Sequence, residues 1–200
     1  KVLLCEKDDL AAHTSSASTK LIHGGQRYLE HYDFSLVRKS LSEREVLLRA
    51  APHIIRPMRF VLPVHKDMRP GWLIRLGLFV YDHLGGREIL PATKTLKRGR
   101  DAALSPLKAG LRTAFENSDC WVDDARLDVL TAVAAAEQGA TIMTRAECAG
   151  LRRDAGHWTA TLVVDGQANM DVEAKAVVNA AGPWVDDVVN QSGTGRNVAA

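Results

Sequence analysis

Cysteine is scarce in this 200-residue sequence, and its three copies, Cys5, Cys120 and Cys148, lie far apart. Because no CxxC pair occurs, the spacing favours neither a disulfide framework nor a zinc site, and we expect a reducing compartment such as the cytoplasm and no metal. No apolar run approaches the roughly 18 residues that a membrane-spanning helix needs. The sequence begins with Lys1 in place of methionine and enters an apolar strand at once, so we expect it to be a fragment of a longer protein.

The composition is that of an ordinary globular protein, with 46% apolar and 25% charged residues, but the charge is unevenly distributed. Residues 1–55 carry 8 basic and 7 acidic side chains (net +1), residues 56–112 carry 12 and 4 (net +8), and residues 113–200 carry 6 and 13 (net −7). The basic middle could attract an anionic substrate, a phosphate-bearing cofactor or an acidic lipid surface, although a solvated basic face is the simpler interpretation. Nucleic-acid binding is not expected, because the basic residues are not interleaved with base-stacking aromatics.

The first 110 residues alternate short apolar runs with amphipathic stretches. Residues 2–5 ("VLLC") predict a buried parallel strand, because the apolar run is short and continuous. Helices are predicted over residues 35–51 and 71–84, the second of which is preceded by proline and followed by two glycines. A strand is predicted over residues 58–62, and residues 87–110 have the composition of a basic loop.

The remaining residues predict a helix followed by short strands. The helix, over residues 123–140, begins with aspartates and ends near a glycine. The runs "TIMT", "ECAGLRR", "HWTATLVV" and "VEAKAVVNA", separated by "DAGH" and "DGQA", predict an antiparallel meander that closes on an apolar strand, "AVVNAAG". The two ends of the chain therefore predict one α/β domain with a parallel sheet, into which the basic middle is inserted.

Two features near the N-terminus point to a nucleotide. Glu6 follows the first strand, where the carboxylate of a dinucleotide fold accepts hydrogen bonds from ribose hydroxyls, although a solvent-exposed acid is the simpler interpretation. A cluster of short hydroxyl side chains follows within "TSSAST", and such groups, with a helix starting there, suit a pyrophosphate. A flexible serine-rich loop is the alternative. The cluster consists of Thr14, Ser15, Ser16, Ser18 and Thr19.

Residues that could touch a flat or anionic ligand come next. Lys20 can place a charge beside a phosphate or an electron-rich ring, and Gly24 and Gly25 allow backbone to approach a ligand closely. Arg27 can clamp a phosphate or carboxylate through two hydrogen bonds, and Tyr28 can bind the same group. An ion pair on a surface helix is the alternative for Arg27.

His23 and His31 are candidate proton carriers, although a structural role is the simpler interpretation of each. Near the other end, "NAAGPW" (residues 179–184) combines small residues and a glycine at a predicted strand end, which would allow close approach to a nucleotide. A tight exit from the strand before Pro183 explains the same pattern.

The sequence resembles the FAD-dependent glycerol-3-phosphate dehydrogenase family through several long motifs in order: "TSSASTKLIHGGQRYLEHYDF", "PMRFVLP", "GLFVYDHLG", "SDCWVDDARL" and "VVNAAGPWV". The resemblance extends over residues 1–189. It implies a Rossmann-like FAD-binding domain, formed by a parallel sheet with an antiparallel meander, and an inserted α+β substrate cap. The implied division is 1–59 and 119–200 for the FAD-binding domain and 60–118 for the cap.

The resemblance also implies roles for individual residues. Glu6 would bind the adenosine ribose, and Arg27 and Tyr28 would hold the phosphate of the substrate. Residues expected along the pyrophosphate and ribityl chain are Thr14, Ser15, Ser16 and Ser18. Residues expected along the isoalloxazine are Lys20, Leu21, His23, Gly24 and Gly25. Residues expected at the adenine side are Ala146, Ala180 and Gly182, while no residue is assigned as the catalytic base.

The implied reaction is oxidation of sn-glycerol 3-phosphate to dihydroxyacetone phosphate, with hydride transferred to FAD and electrons passed on to quinone. The resemblance further implies peripheral association with the inner membrane from the cytoplasmic side, through an anionic surface, and is compatible with a homodimer. An interfacial helix could be formed by Trp72, Leu73, Leu76, Phe79 and Val80, flanked by Arg69 and Arg75, although a helix facing the core is the simpler interpretation. The alternatives are another FAD-dependent oxidase of a small phosphorylated or amino substrate, and a non-catalytic remnant of the fold.

Two departures from the family pattern matter. The first strand and GxGxxG turn of the family are absent from these 200 residues, as are the later segments of the cap and of the FAD site. Ala181 stands where many relatives have threonine, so a hydroxyl contact is lost. We therefore expect the fragment alone to be inactive and to bind FAD weakly or not at all.

Overall fold

The computed structural model describes residues 1–86, 88–154 and 156–191. The strands are β1 (Leu3–Cys5), β2 (Leu21–Ile22), β3 (Ile55–Pro63), β4 (Lys94–Lys97), β5 (Thr113–Val122), β6 (Thr141–Met143), β7 (Ala146–Asp154), β8 (His157–Val164) and β9 (Ala168–Ala174). The α-helices are α1 (Phe34–Ala50), α2 (Gly71–Leu84), α3 (Asp124–Glu137) and α4 (Val185–Gln191). Short 3-10 helices are formed by Gln26–His31, Ala102–Leu104 and Gly182–Trp184. The described residues form two compact units, one of Lys1–Ala17 with those from Asp128 to Gln191 and one of those from Ser18 to Leu127.

The first unit contains a parallel strand pair and an antiparallel meander. β1 pairs in parallel with β6, with Leu3 opposite Thr141 and Cys5 opposite Met143, which confirms the predicted parallel strand. Its expected burial is wrong, since Leu3 and Leu4 are 36% and 42% exposed. β7, β8 and β9 form the meander in that order, and a bulge interrupts β7 between Cys148 and Gly150. This unit contains both elements of the predicted α/β fold class, the parallel pairing and the meander.

Two strand predictions in this unit are wrong. The run "TIMT" was expected in the meander, but it forms β6, which pairs with β1 because its short apolar run matches that strand. The expected strand "AVVNAAG" does not form, since residues 176–181 have no regular structure and Val178 is 87% exposed. Instead, the Asn179 side chain donates to the Val185 carbonyl at 2.9 Å and accepts from the Ala181 N–H, which turns the backbone toward α4.

The second unit is built on an antiparallel sheet whose central strand is β5. β3 pairs with β5 from Ile55 opposite Val122 to Pro63 opposite Ala114. The other edge of β5 pairs with β2 and with β4. Sequence analysis assigned no strand to residues 113–122, because polar residues interrupt the apolar pattern in the middle of the run. β4 and the 3-10 helix at Ala102–Leu104 likewise lie in a stretch that was predicted to be a loop.

Helices α1 and α2 cover part of this sheet. Asp33 caps the N-terminus of α1, where its carboxylate accepts the Leu36 N–H at 3.1 Å. The helix ends at Ala50, just before Pro52. Val37 and Leu41 of α1 pack with Tyr81 of α2 in a buried cluster. The predicted helices over residues 35–51 and 71–84 are thus confirmed, with α1 shifted by one residue.

A second apolar cluster lies on the sheet beside β4. Its buried members are Leu96, Leu104 and Ala114, against which Val61 and Leu107 pack. No helix among the described residues is long and apolar enough to cross a membrane. The predicted domain division at residues 59 and 118 stays a prediction, and the compact units divide the chain at other positions, after Ala17 and after Leu127.

Candidate functional site

Glu6 lies immediately after β1, at the carboxyl end of the parallel pair. Its backbone N–H donates to the Met143 carbonyl at 2.9 Å, and its carbonyl accepts the Ala146 N–H at 2.8 Å. Glu6 Oε1 accepts the Asp8 N–H at 3.1 Å, and within the described residues Oε2 accepts no hydrogen bond. The structure therefore brings Glu6 and the buried Ala146 together and leaves one carboxylate oxygen for a further donor.

Asp8 and His13 lie beside Glu6. His13 Nε2 is 2.6 Å from Asp8 Oδ2, and one ligand atom from each of Glu6, Asp8 and His13 lies within 4.8 Å of the others. Exposed acidic groups commonly lie this close without a metal, so the distances alone define no metal site. The His13 ring contacts Trp184 at 4.9 Å between centroids, and Lys7 Nζ lies 3.8 Å from the centre of the same indole.

The hydroxyl-rich segment forms turns and no helix. Residues 10–17 are a run of turns, in which the Ala17 N–H donates to the His13 and Thr14 carbonyls and the Ser16 hydroxyl donates to the Ala11 carbonyl. A helix dipole at this segment, which the sequence suggested, is therefore not present. The Thr14 and Ser16 side chains are exposed and that of Ser15 is half-buried, so hydroxyl groups line the surface.

Ser18 and Lys20 converge on Asp124 within the second unit. Lys20 Nζ donates to Asp124 Oδ1 at 2.8 Å, and the Ser18 hydroxyl donates to Asp124 Oδ2. The same Ser18 oxygen accepts the Lys20 N–H at 2.9 Å, while Lys20 has a left-handed φ of 58°. The hydrogen bonds from Lys20 and then Ser18 lower the pKa of Asp124 to about 2. Asp124 was not predicted as a site residue, because its only signal in the sequence is its position at the start of a helix.

Gly24 and Gly25 form a turn pressed against the core of the second unit. A Cβ on Gly24 would lie 2.4 Å from Leu41 Cδ2 and 2.8 Å from the Tyr81 hydroxyl oxygen. Gly25 has a φ of +68°, and its N–H donates to His23 Nδ1 at 2.9 Å. The close approach that the glycine pair predicted is therefore made to α1 and α2, on the inner side of the turn.

Arg27 and Tyr28 lie in the 3-10 helix that follows this turn. The Tyr28 N–H donates to the Gly25 carbonyl at 2.9 Å, which ties the helix to the turn. The side chains of Arg27 and Tyr28 are exposed, as is that of His23, whereas Leu21 of β2 is half-buried. His31 lies in the last turn of the same helix. The structure thus groups His23, Arg27 and Tyr28 on one short, well-anchored segment.

A buried network of polar side chains contacts the turn on its core-facing side. None of these side chains was predicted from the sequence. The Gly24 N–H donates to the Tyr81 hydroxyl at 2.7 Å, and Tyr81 donates to Asp119 Oδ1 at 3.0 Å. Arg44 Nη1 donates to the same Asp119 oxygen at 2.5 Å and to the Ser118 carbonyl at 3.3 Å. Burial is the main cause that raises the pKa of Asp119 and of Tyr81, while Arg44 opposes it for both.

A groove of about 950 Å³ lies between β2 and the polar side of α1. Leu21, Ile22 and His23 line one side, and Arg38, Lys39 and Arg44 contribute cationic groups to the other. The groove thus has the exposed His23 on one side and charges of both signs on the other, since Glu43 also lines it and the buried Arg44 is paired with Asp119.

The last predicted contacts lie near the beginning of α4 in the first unit. Ala180 and Gly182 are exposed, and Gly182 has a left-handed φ of +55°. A Cβ on Gly182 would meet no atom within 4 Å, so the positive φ is the reason that glycine fits here. The structure itself leaves this backbone accessible.

Comparison with known proteins identifies the class. Residues 1–198 match the family model "FAD dependent oxidoreductase", so the chain belongs to this family. The predicted FAD-binding fold and the predicted cofactor are thereby confirmed at the level of the family.

Individual relatives are more specific. The chain is 59% identical to a glycerol-3-phosphate dehydrogenase of Pseudomonas tolaasii, over 92% of this chain and 35% of the relative. It is 57% identical to the D-erythritol 1-phosphate dehydrogenase of Brucella abortus, over 99% of this chain and 40% of the relative. The X-ray structure of glycerol-3-phosphate dehydrogenase from Bacillus halodurans complexed with FAD matches with a TM-score of 0.68 and 25% identity, over 94% of this chain and 31% of that one. The chain thus spans 35–40% of the length of the two sequence relatives.

Proposed function

We propose that the protein containing this chain oxidises the secondary alcohol of a phosphorylated polyol, with glycerol 3-phosphate converted to dihydroxyacetone phosphate. Family membership and the 59% identity to a glycerol-3-phosphate dehydrogenase support this proposal. The observation that carries it is the grouping of the exposed side chains of His23, Arg27 and Tyr28, an imidazole, a guanidinium and a phenol, on one short segment.

The residues present fit FAD. Glu6 has an open carboxylate oxygen at the end of a parallel strand, which suits a ribose hydroxyl, and Ala146 packs beside it as a small residue. The hydroxyls of Thr14 and Ser15 can donate to pyrophosphate oxygens without steric bulk, whereas those of Ser16 and Ser18 donate to the Ala11 carbonyl and to Asp124 and would have to reorient to do so. The proposed contacts to that part of FAD are Thr14, Ser15, Ser16 and Ser18, with Ala180 and Gly182 toward the adenine. FAD, when bound, supplies the acceptor for the hydride.

The turn in the second unit would meet the isoalloxazine. The proposed contacts are Lys20, Leu21, His23, Gly24 and Gly25. Asp124 holds the Lys20 ammonium in place through a 2.8 Å hydrogen bond, which fixes a positive charge on this segment. Because His23 Nδ1 accepts the Gly25 N–H, the neutral ring carries its proton on Nε2 and presents a hydrogen-bond donor at its other nitrogen.

Arg27 and Tyr28 would bind the phosphate of the substrate. A guanidinium can donate two parallel hydrogen bonds to a phosphate, and the adjacent phenol can donate a third. The net charge of +8 over residues 56–112 would favour the approach of a dianionic substrate. A non-phosphorylated polyol would make none of these charge-assisted contacts.

D-erythritol 1-phosphate is the second candidate substrate. The relative of that name is nearly as similar as the glycerol-3-phosphate dehydrogenase, and its match covers 99% of this chain. Both substrates carry a phosphate and a secondary alcohol, so the proposed roles of Arg27 and Tyr28 are the same for each. Parallel assays of the two polyol phosphates distinguish the candidates.

The proposal has three further parts, which rest on the family resemblance: quinone as the electron acceptor, a homodimer, and peripheral attachment to the inner membrane. For attachment, helix α2 offers Trp72, Leu76 and Phe79, which are 71%, 51% and 49% exposed. Trp72→Glu should weaken binding to anionic vesicles, whereas Val129→Glu on α3 should not. Unchanged vesicle binding by the Trp72 variant would remove α2 as the anchor.

The proposal is tested by steady-state oxidation of glycerol 3-phosphate, with FAD and an artificial electron acceptor. Arg27→Met should raise KM about 10-fold to 100-fold, which corresponds to loss of a charge-assisted hydrogen bond. Arg27→Lys should recover part of the loss, and Arg100→Met, at another exposed arginine, should change nothing. A wild-type protein that binds FAD but oxidises glycerol as efficiently as either polyol phosphate would contradict the proposal.

A further inference from the structure

Tyr81 lies 57 residues from the glycine turn in sequence and meets it in the core of the second unit. Its side chain is 3% exposed and packs with Val37 and Leu41. The Tyr81 hydroxyl accepts the buried Gly24 N–H at 2.7 Å, which is a group that α-helical or strand pairing does not satisfy. A hydrogen bond to the Tyr81 hydroxyl therefore ties the turn to helix α2.

The direction of these hydrogen bonds is set by a charge. Asp119 is 5% exposed and is ion-paired with Arg44, so its carboxylate accepts and cannot donate. Tyr81 must give its own proton to Asp119, at 3.0 Å, and is left with lone pairs that face Gly24. The chain from Arg44 through Asp119 and Tyr81 thus fixes an acceptor at the position that the Gly24 N–H needs.

The turn is closely packed, and the hydrogen bonds of Gly25 link it to the residues on either side. A Cβ on Gly24 would approach the Tyr81 hydroxyl oxygen to 2.8 Å, so the backbone already lies against this group. The next N–H, of Gly25, donates to His23 Nδ1, and the Gly25 carbonyl accepts the Tyr28 N–H. Displacement of Gly24 would therefore move His23 and Tyr28 together.

We propose that Tyr81 is a positioning residue of the candidate site: its hydroxyl, oriented by Asp119, holds Gly24 and thereby sets the placement of His23, Arg27 and Tyr28 toward cofactor and substrate. The functional part of this inference rests on the proposed function. Tyr81 itself is buried behind the turn and would touch neither ligand.

Amide hydrogen exchange tests the anchor without any turnover. In the wild-type protein the Gly24 amide should be protected, and in Tyr81→Phe its exchange should accelerate about 10-fold or more, as expected for loss of a buried hydrogen bond. Tyr32→Phe removes the same atom from a tyrosine that is 80% exposed and should leave Gly24 unchanged. Free exchange of Gly24 in the wild type, or equal exchange in all three proteins, would overturn the inference.

Ligand measurements on the same three proteins test the positioning role. Tyr81→Phe should weaken FAD binding in a titration and raise KM for glycerol 3-phosphate about 10-fold, while Tyr32→Phe changes neither. Faster exchange at Gly24 with unaltered FAD affinity and KM would overturn the positioning role. If the wild type oxidises neither polyol phosphate, the proposed function fails, and Gly24 exchange together with FAD affinity still decides whether Tyr81 positions the turn.

Discussion

Arg44→Met removes the cation that faces the buried Asp119 carboxylate. Both side chains are almost fully withdrawn from water, at 4% and 5% exposure. In the variant, Asp119 keeps the hydrogen bond from Tyr81 and loses the 2.5 Å bond from Arg44. Methionine fills much of the volume of the arginine stem, so the main change is the loss of the cation from two buried carboxylates, Asp119 and Glu45, whose Oε1 lies 3.6 Å from Arg44 Nη2.

The expected cost is large because the charge is desolvated. Removing one partner of a buried ion pair typically lowers the free energy of unfolding by about 3–5 kcal/mol. The matched control is Arg49→Met on the same helix, where Arg49 pairs with Glu88 and both side chains are largely exposed. An exposed pair contributes about 0–1 kcal/mol, so the two variants should differ by several kcal/mol.

The pH dependence of this cost has a definite sign. Burial raises the pKa of Asp119 and Arg44 lowers it, so removal of Arg44 should raise the pKa of Asp119 further. The folded variant then binds a proton that the unfolded chain releases above about pH 4, and its stability falls as pH rises through the folded pKa. Relative to wild type, Arg44→Met should be most destabilised at neutral pH and less so in mild acid.

Urea denaturation followed by far-ultraviolet circular dichroism measures both effects. The account requires a larger loss in Arg44→Met than in Arg49→Met at neutral pH, and a loss that shrinks in mild acid. Equal losses in the two variants, or a loss in Arg44→Met that does not change with pH, would refute the reasoning. Adding Asp119→Leu to Arg44→Met should recover part of the stability, because apolar replacement of a buried pair is often neutral.

Two further predictions concern the turn and the aspartate that holds Lys20. Gly24→Ala should destabilise the protein by about 1–3 kcal/mol in thermal or urea unfolding, because the added Cβ would clash with Leu41 and Tyr81. The control is Gly77→Ala in α2, where the added Cβ would meet no neighbouring atom within 4 Å. This variant should be as stable as the wild type or more stable. Equal effects of the two alanines would contradict the packing described for the turn. Because the pKa of Asp124 is lowered to about 2, the stability that it contributes is present above about pH 4 and is lost as pH falls toward 2. Asp124→Asn should therefore lose less stability than the wild type as the pH falls from about 4 toward 2. If the free energy of unfolding of the two proteins falls in parallel over this range, the interaction with Lys20 does not depend on the charge of Asp124.

Features set by local patterns were predictable from the sequence. The continuous apolar run before Glu6 predicted a parallel strand, and β1 pairs with β6 in that way. The amphipathic period of α1 predicted its position to within one residue. These features depend on neighbouring residues alone.

Features set by distant partners were not predictable in the same way. β5 was missed because Asn117, Ser118 and Asp119 interrupt its apolar pattern, yet all three are buried, with Asp119 paired to Arg44. "AVVNAAG" was expected to be a strand, but an apolar run forms one only with a partner, and Val178 is exposed instead. Both cases depart from the usual pattern, in which apolar residues are buried and polar residues are exposed.

The candidate site divides in the same manner. The glycine pair, Lys20 and Arg27 could be proposed as site residues from their residue types and spacing alone. The residues that hold Gly24 and Lys20 could not, since Tyr81 meets Gly24 across 57 positions and Asp124 meets Lys20 across 104. Their side chains show no distinguishing feature in the sequence, and only the fold brings them to the turn.

The central claim is that the protein uses FAD to oxidise a phosphorylated polyol, and reduction of the bound flavin tests it most directly. Glycerol 3-phosphate or D-erythritol 1-phosphate, added without oxygen to the FAD-loaded protein, should bleach the visible absorption of the oxidised flavin, whereas glycerol at the same concentration should not. If dithionite bleaches the bound flavin and neither polyol phosphate does, the account is contradicted.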